Sequence, residues 1–361
     1  MRLLYSKYAG IKITMYQPQF TITNKILKTI GLIEASREVI ENSPLVPAWE
    51  SKFREEAMVR SVHHGTHIEG NDLSLTEAEK VLAGHKIVGR ERDIQEVLNY
   101  RNVLKFIEAF QGDKITEEVI KHLHSLIAHR ILPDELVGEY RKTQVVVKNA
   151  QTGEVTFRPP PAVEVGFLIE DFLMWVNQAV ADGLHPVLKA GIVHYELVRI
   201  HPFLDGNGRV ARAVATLVLF MEGYDIKRFF SLEEYYDREP LAYYDSLQSV
   251  VRENGNLTRW IEYFIEGLAI ELNRIKEKVK SLSTDLKIKK SFGGQQMSLT
   301  ERQIKIVEFI QGSGFLQNKT FFELFPMVSE DTILRELKDL LKKGIVKKEG
   351  STKGAKYVLK T

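Results

Sequence analysis

The sequence contains no cysteine among its 361 residues. This absence excludes disulfide bonds, thiolate metal sites and cysteine nucleophiles, and it is consistent with a reducing compartment. Long apolar runs are also missing, because no stretch approaches the roughly 18 apolar residues of a membrane-spanning helix. Residues 1–17 lack the uninterrupted apolar segment that is typical of a signal peptide. Together these absences predict a cytosolic protein that has no membrane partner.

A strong excess of charge of either sign is missing too, since the chain has 50 basic and 48 acidic residues. The charges are not evenly distributed along the chain. Residues 298–361 contain 12 basic and 8 acidic residues, whereas the rest of the chain is slightly acidic. Any attraction to nucleic acid is therefore expected from this C-terminal segment. The length favours two or three folded units.

Most of the chain has the apolar spacing that is typical of α-helices. The predicted helices cover residues 24–42, 50–69, 91–111, 115–130, 187–200, 208–221, 232–252 and 257–280. Ser74 and Glu77 form a predicted capping box that starts a further helix. The segment 208–221 is apolar on nearly every face, so we expect it at the centre of a helical bundle.

Residues 143–161 follow another pattern. A β-branched run, a turn-rich middle and a second short run that leads into three prolines predict a β-hairpin. Because its neighbours are helical, the hairpin is expected to project from the helical body. Its outer edge would be able to pair with an extended peptide, which suggests docking of a target protein along residues 143–158.

The C-terminal part is predicted to be a separate folded unit. Residues 281–297 are polar and contain Gly-Gly, which is typical of a linker. After them, Ser298 and Glu301 are predicted to cap the first of three helices, and two short strands follow. This order resembles a winged helix-turn-helix, which leaves DNA binding through residues 298–361 open.

The strongest chemical signal is the segment HPFLDGNGRVAR, residues 201–212. A predicted helix ends before it and another begins inside it. Glycines and exposed N–H groups at a helix start form a natural phosphate site. Arg209 and Arg212 lie three residues apart and can bind phosphate oxygens, while Asp205 is a suitable Mg²⁺ ligand. His201 can accept a proton from a hydroxyl group.

Other interpretations of this segment are less favourable. A plain helix-to-helix turn would place costly polar groups between two core helices. The letters GNGRVA fit the pattern GxGxxA of dinucleotide sites, but that site requires a preceding strand, and residues 187–200 have helical spacing. No GxxxxGK[ST] loop is present.

The segment matches the signature HPFxDGNGRxxR of the Fic-domain family at every fixed position. The chain resembles this family from about residue 60 to about residue 268, including the stretches GEYRKTQVVV, AYYDSLQSV and NLTRWIEYF. The resemblance implies an all-α, Fic-type helical bundle with a β-hairpin flap. It also implies transfer of AMP from ATP to Tyr, Thr or Ser hydroxyls of proteins, including this one. The predicted limits are 1–95 for an N-terminal helical region, 96–280 for the core, 281–297 for the linker and 298–361 for the C-terminal unit.

The resemblance assigns a role to each site residue. His201 is implied as the general base, and Asp205 as the ligand of Mg²⁺. The phosphates of ATP are implied to lie against Gly206, Asn207, Gly208, Arg209 and Arg212. The flap residues Val147, Lys148, Asn149 and Ala150 are expected to cover the nucleotide, and Tyr244 is a further candidate for a base or ribose contact.

The stretch GTHIEGN, residues 65–71, is similar to the inhibitory motif [S/T]xxxE[G/N] that many Fic proteins carry. This similarity implies that Glu69 pairs with Arg212 and so blocks the guanidinium that the γ-phosphate needs. The match departs at position 65, where Gly replaces Ser or Thr. Upstream, His63, His64 and His67 form a cluster, which we interpret as surface or core-edge histidines in preference to a metal site.

Four functions are left open by the sequence. Besides AMP transfer, the same site is suited to removal of AMP, with Glu69 orienting a water, or to transfer of another group such as UMP. A fourth alternative is a DNA-binding regulator with a Fic-like sensor body. Homodimer formation is also left open.

Overall fold

The computed structural model describes residues 16–43, 45, 47–148, 153–179, 183–282, 299–326, 328–350 and 355–360. Contacts divide the chain into two compact units. The first unit comprises Met1–Asn42 and Lys52–Lys276, and the second comprises Ser43–Ser51 and Glu277–Thr361. No described helix is both long and apolar enough to cross a membrane. The finer division of the first part at residue 95 stays a prediction.

The described part of the chain is mainly helical, which confirms the predicted fold class. The helices up to the hairpin are α1 (Asn24–Asn42), α2 (Pro47–His67), α3 (Leu75–Leu82), α4 (Glu91–Ala109) and α5 (Glu117–Ala128). Those after it are α6 (Val165–Val176), α7 (Pro186–Ile200), α8 (Asn207–Met221), α9 (Leu232–Arg238), α10 (Pro240–Arg252) and α11 (Thr258–Leu282). The predicted capping box before α3 is present, since Ser74 accepts from the backbone N–H of Glu77 and Glu77 accepts in return.

Helix α8 lies in the core, as its apolar sequence predicted. Eleven of its 15 residues are buried, among them Arg209 and Arg212. Helix α7 packs along α8, and α4 and α5 also contact α8. The indole N–H of Trp260 on α11 donates to the carbonyl of Gly191 on α7 over 2.7 Å. The loop from α7 to α8 is therefore supported on several sides by buried helices.

The single helix predicted at 232–252 is wrong, because the structure has two. Helix α9 ends at Arg238, and α10 begins at Pro240. Glu239 between them has φ −134° and ψ 72°, outside the helical region. A residue before proline is disfavoured in the α conformation by contact with the proline ring, so the break follows from Pro240.

The predicted hairpin is present as strands β1 (Val147–Lys148) and β2 (Val155–Phe157), which pair antiparallel. The predicted tip residues Asn149 and Ala150 lie outside the described residues. Most of the described side chains of the two strands are exposed or half-buried. The hairpin thus lies on the surface of the first unit.

The second unit includes α12 (Glu301–Ser313), α13 (Phe321–Leu324) and α14 (Glu330–Lys342), followed by the antiparallel strands β3 (Val346–Glu349) and β4 (Lys356–Leu359). Its apolar core includes Ile310, Leu337 and Tyr357. This order of elements is the predicted one. The winged-helix interpretation and DNA binding stay predictions.

The predicted cap of the first C-terminal helix is wrong. The N-cap is Thr300, whose hydroxyl accepts from the N–H of Gln303 over 3.2 Å. Gln303 accepts in return from the N–H of Thr300 over 3.1 Å. Glu301 is already the first helical residue, and Ser298 lies outside the described residues. The predicted linker 281–297 also lies outside them, except that α11 continues to Leu282.

Candidate active site

The loop between α7 and α8 turns sharply at both of its ends. His201 caps α7 with φ 52°, and Gly206 precedes α8 with φ 78°. Left-handed φ suits glycine but is uncommon for other residues, so His201 is held there by its surroundings. A Cβ at Gly206 would lie 3.2 Å from Ile127, which also favours glycine at this position.

The side chain of Asn207 braces the loop. Its Oδ1 accepts from the N–H of Phe203 over 2.8 Å, and its Nδ2 donates to the carbonyl of Phe203 over 2.9 Å. The residue is buried, with 3% of its surface exposed. Because the amide is engaged in this way, Asn207 is left with its backbone N–H for a ligand at the start of α8.

His124 on α5 packs against the loop and hydrogen-bonds to it. Its ring stacks on Phe203 with centroids 3.8 Å apart, and Nε2 donates to the carbonyl of Asp205 over 3.2 Å. Nδ1 accepts from the N–H of Gly138 over 2.9 Å. Burial lowers the pKa of His124 to about 4, so the ring is neutral and one donor and one acceptor satisfy it.

Arg141 connects the loop to the hairpin by hydrogen bonds. Its guanidinium donates to the carbonyl of His201 over 2.8 Å and to those of Thr143 and Pro160 at the two hairpin ends. Its own backbone N–H donates to the carbonyl of Pro202 over 2.9 Å. Arg141 lies in the stretch GEYRKTQVVV, which resembles the Fic-domain family, but the resemblance implied no role for this residue.

His201 presents one nitrogen to the site. Nδ1 lies 3.2 Å from the carbonyl oxygen of Val198, so this nitrogen carries the proton and Nε2 keeps its lone pair. Burial lowers the pKa of His201, and the nearby Arg141 acts in the same direction. A neutral imidazole with a free Nε2 is the form that accepts a proton at neutral pH.

A cleft of about 320 Å³ opens beside this histidine, within the size range of about 300–1,000 Å³ that small-molecule sites occupy. Several predicted residues line it: Glu69, Val147, His201, Gly208 and Tyr244. Tyr244 is 42% exposed, and its hydroxyl reaches the carbonyl of Ile68 at 3.4 Å. The cleft therefore brings together the loop, the hairpin and the segment 65–71.

The two arginines of α8 are buried and paired with acidic residues. Arg212 Nη2 lies 2.8 Å from Glu69 Oε1, and Arg209 Nη1 lies 3.3 Å from Glu96 Oε1. Burial alone would lower the pKa of Arg212, but Glu69 outweighs that effect and the pKa is raised. Arg209 Nε and both Nε and Nη1 of Arg212 are buried without a hydrogen-bond partner among the described residues. Such donors suit the oxygens of a phosphate group.

Asp205 lies at the rim of the site. Its Oδ1 accepts from the N–H of Gly206 over 2.6 Å, and Arg92 reaches Oδ2 at 3.4 Å. The side chain is 44% exposed, so the carboxylate retains open coordination positions. Mg²⁺ usually takes one or two carboxylates together with waters and phosphate oxygens, and this donor set fits that pattern.

The segment 65–71 contacts Arg212 directly and Arg209 only through Glu96. Besides its pair with Glu69, Arg212 donates to the carbonyl of Gly65 over 2.9 Å. Asn71 Nδ2 donates to Glu96, the partner of Arg209, over 3.0 Å. A Cβ at Gly208 would overlap with Glu69 Oε1, so the glycine allows the close approach of the carboxylate.

The departure from the motif at position 65 has a steric reason. A Cβ at Gly65 would collide with the ring of Tyr100 on α4, whose hydroxyl donates to Glu233 over 3.0 Å. The hydroxyl of Thr66 bonds to the carbonyls of Val62 and His63 within α2. Thr66 therefore does not replace a hydroxyl at position 65.

Comparison with known proteins agrees with this geometry. The model of the Fic/DOC family matches residues 114–219. Residues 114–219 are therefore similar to a Fic domain. The matched part contains the loop, the hairpin and most of α8, whereas Glu69 lies before it.

Curated relatives are similar over part of their length. Protein adenylyltransferase Fic of Drosophila grimshawi is 36% identical over 177 residues, which are 48% of this chain and 35% of that protein. The protein of the same name in Culex quinquefasciatus is 30% identical over 232 residues, 62% of this chain and 45% of that protein. The chain therefore spans less than half the length of these relatives.

Solved structures share the fold. A Fic family protein from Desulfovibrio desulfuricans aligns over 96% of this chain and 98% of its own, with a TM-score of 0.66 and 23% identity. A Fic domain-containing signaling protein from Bacteroides thetaiotaomicron aligns over 71% of this chain and 97% of its own, with a TM-score of 0.59 and 25% identity. These similarities support the Fic-type helical fold around the cleft.

Proposed function

We propose that this protein is an adenylyltransferase that transfers AMP from ATP to a hydroxyl group of a target protein and is inhibited by Glu69. One observation carries the proposal. Two nitrogens of the buried Arg212 guanidinium have no hydrogen-bond partner among the described residues, and the third contacts Glu69 and the carbonyl of Gly65. The relatives named adenylyltransferases support the same reaction.

The phosphates of ATP would lie at the start of α8. The backbone there, with Gly206 and Gly208, would supply N–H donors, and Arg209 and Arg212 would supply the charged ones. Mg²⁺ held by Asp205 would neutralise phosphate charge. Tyr244 and Val147 line the cleft where the nucleoside would be placed.

The reaction is an in-line displacement at the α-phosphorus. The target hydroxyl oxygen forms a bond to phosphorus, the bond to the bridging oxygen of pyrophosphate breaks, and Nε2 of His201 takes the hydroxyl proton. Positioning and charge neutralisation would supply most of the rate. An extended segment of the target, pairing with the edge of the hairpin at residues 143–158, would bring the hydroxyl to His201.

Glu69 would act as a brake in two ways. Its carboxylate occupies a guanidinium that the γ-phosphate needs, and its negative charge repels phosphate at the same place. Removal of the carboxylate should therefore increase transfer.

Removal of AMP is a second candidate, because Glu69 and His201 line the same cleft. A carboxylate facing this cleft is suited to orient a water toward a phosphodiester. In that reaction Glu69→Gly would lower the rate, whereas in transfer it raises the rate.

The test combines labelled ATP with two variants. With Mg²⁺ present, protein should become labelled from α-labelled ATP and not from γ-labelled ATP. We expect Glu69→Gly to increase the incorporation, and His201→Ala to reduce it by about 10²–10⁴-fold in either background. Label from the γ position would identify a kinase, and an unchanged rate in Glu69→Gly would contradict the brake. Mass spectrometry of labelled proteins from a lysate would identify the target and distinguish AMP from UMP.

A further inference from the structure

The end of α2 carries a second cluster of chemically active side chains, outside the cleft. His64 Nδ1 lies 2.8 Å from Asp237 Oδ2, and His67 Nδ1 lies 2.9 Å from both carboxylate oxygens of Asp237. The ring of His63 lies 4.6 Å from that of His64, between centroids. Three imidazoles of one helix thus converge with a carboxylate of α9, although Asp237 is 170 residues away from His67 in the sequence.

The surroundings of Asp237 are unusual for a carboxylate. Its side chain is only 5% exposed, and its ion-pair contacts are with histidines. Within the described ranges, no lysine or arginine lies at ion-pair distance from it. A buried carboxylate is costly unless a cation compensates its charge. Two imidazoles hydrogen-bond this carboxylate, and a bound cation would supply the opposite charge.

We propose that His63, His64 and Asp237 bind a divalent cation of the zinc class. One ligand atom of each of the three residues lies within 4.8 Å of the others. Ligands at about 2.1 Å from a tetrahedral zinc ion lie about 3.4 Å apart. Small side-chain rotations therefore suffice to close this set around an ion.

The donor types select the metal. Two imidazoles and one carboxylate suit Zn²⁺, whereas Mg²⁺ prefers oxygen ligands and retains water. The site is thus chemically distinct from the proposed Mg²⁺ position at Asp205. His67 acts as a positioning residue, because its hydrogen bond orients the Asp237 carboxylate. A water would complete the coordination.

The position of this site suggests a consequence, which rests on the proposed function. His64 precedes Glu69 by five residues, at the end of the same helix. A metal bridge from α2 to α9 would hold this end in place and keep Glu69 on Arg212. Occupancy of the site should then lower transfer.

Binding is tested without ATP. The full chain is treated with chelator, dialysed against ZnCl₂ and analysed for retained zinc, with Tm measured in parallel. We expect one zinc per chain at this site and a raised Tm. His64→Ala and Asp237→Asn should each lose that zinc, and His67→Ala should weaken it by about 10–100-fold. His85→Ala is the control, because His85 is exposed and outside the cluster.

Equal zinc retention by the parent chain, His64→Ala and Asp237→Asn would overturn the proposal. It would also be overturned if folded parent protein retained no zinc, since the four side chains would then form a cluster of hydrogen bonds and ring contacts only. Asp237→Asn keeps the volume of the side chain, and His67 is half exposed, so loss of the fold does not obscure the result.

The consequence for activity is a separate measurement. At constant Mg²⁺, zinc should reduce AMP incorporation by the parent chain and have little effect on His64→Ala. In Glu69→Gly, zinc should still bind but no longer inhibit. If zinc inhibits Glu69→Gly equally, it acts at the cleft and the link to the brake is wrong. If no variant incorporates AMP, the proposed function fails while the zinc result stands.

Discussion

The loop 201–208 and the segment 65–71 meet at Arg212, but they are held in different ways. The loop is braced by hydrogen bonds from Arg141 and His124 on other elements and by those of its own Asn207. The segment reaches the cleft mainly through Glu69, whose side chain is 26% exposed. On the proposed function, this comparison predicts a rigid loop and a Glu69 side chain that can leave Arg212 without disturbing that loop.

The largest loss of stability and of AMP transfer is expected from substitution of Arg141, which holds the loop by hydrogen bonds. Arg141→Ala removes hydrogen bonds to four carbonyl oxygens: those to His201 and Pro160 are short, at 2.8 and 2.6 Å, and those to Thr143 and Ile200 are long, at 3.3 and 3.5 Å. A bond with a charged donor contributes about 1.5–3 kcal/mol, and we count only the two short bonds, at the lower end of that range. We expect the free energy of unfolding to fall by about 3 kcal/mol and transfer to fall about 100-fold, because His201 loses its position. Denaturant unfolding and labelled-ATP incorporation measure the two effects.

Arg259→Ala is the matched control, because the side chain of Arg259 on α11 is 56% exposed and does not line the cleft. It should change neither quantity. Equal effects of the two substitutions would show that the loop does not depend on Arg141.

Glu69→Gln is expected to change the free energy of unfolding and the rate of transfer less than Arg141→Ala does. The substitution keeps the length of the side chain but removes the charge opposite buried Arg212. The free energy of unfolding should fall by about 2 kcal/mol, and transfer should rise to a level between those of the parent chain and Glu69→Gly. Asp72→Asn, three residues further on and 78% exposed, should leave both unchanged. A fully inhibited Glu69→Gln would mean that the shape of the side chain, and not its charge, is the brake.

The pH dependence tests the base directly. His201 must be neutral to accept a proton, and its pKa is lowered from 6.5 by burial. Because the neutral form then persists to lower pH, the acid limb of transfer by Glu69→Gly should have its midpoint below pH 6.5. A midpoint above this value would be inconsistent with a buried His201 as the base.

The smallest effect is expected from Tyr244→Phe. The hydroxyl makes one long contact of 3.4 Å to the carbonyl of Ile68, so its loss should change stability by about 0.5 kcal/mol. A change in KM for ATP of more than about tenfold would instead indicate a direct contact of the hydroxyl with the nucleotide.

The sequence predicted those parts of the site that are local in the chain. The helix ends around residues 201–212 follow from glycine positions and apolar spacing, and the structure has them where they were expected. The contact between Glu69 and Arg212 was expected only from a family resemblance. The support from Arg141 and His124 was not predicted, because nothing in local spacing shows which distant backbone groups a buried side chain will reach.

The wrong predictions have equally physical causes. Ser298 and Thr300 are both good N-cap residues, and a shift of two residues also offers Gln303 as the reciprocal partner. The interpretation of the α2 histidines as surface or core-edge residues agrees with their burial, since His63 is buried, His64 half-buried and His67 exposed. Their contact with Asp237 was not predicted, because that residue is far away in the sequence. The cap was thus a choice between two local patterns, whereas the contact with Asp237 is visible only after folding.

The ring of Tyr100 makes positions 65 and 100 a coupled pair. A serine introduced at position 65 would require that ring to move, and with it the hydroxyl contact to Glu233. The usual motif is thus not restored by one substitution in this protein. Homologous chains with serine or threonine at the position of Gly65 should carry a smaller or displaced side chain at the position of Tyr100. These two positions should therefore covary in an alignment.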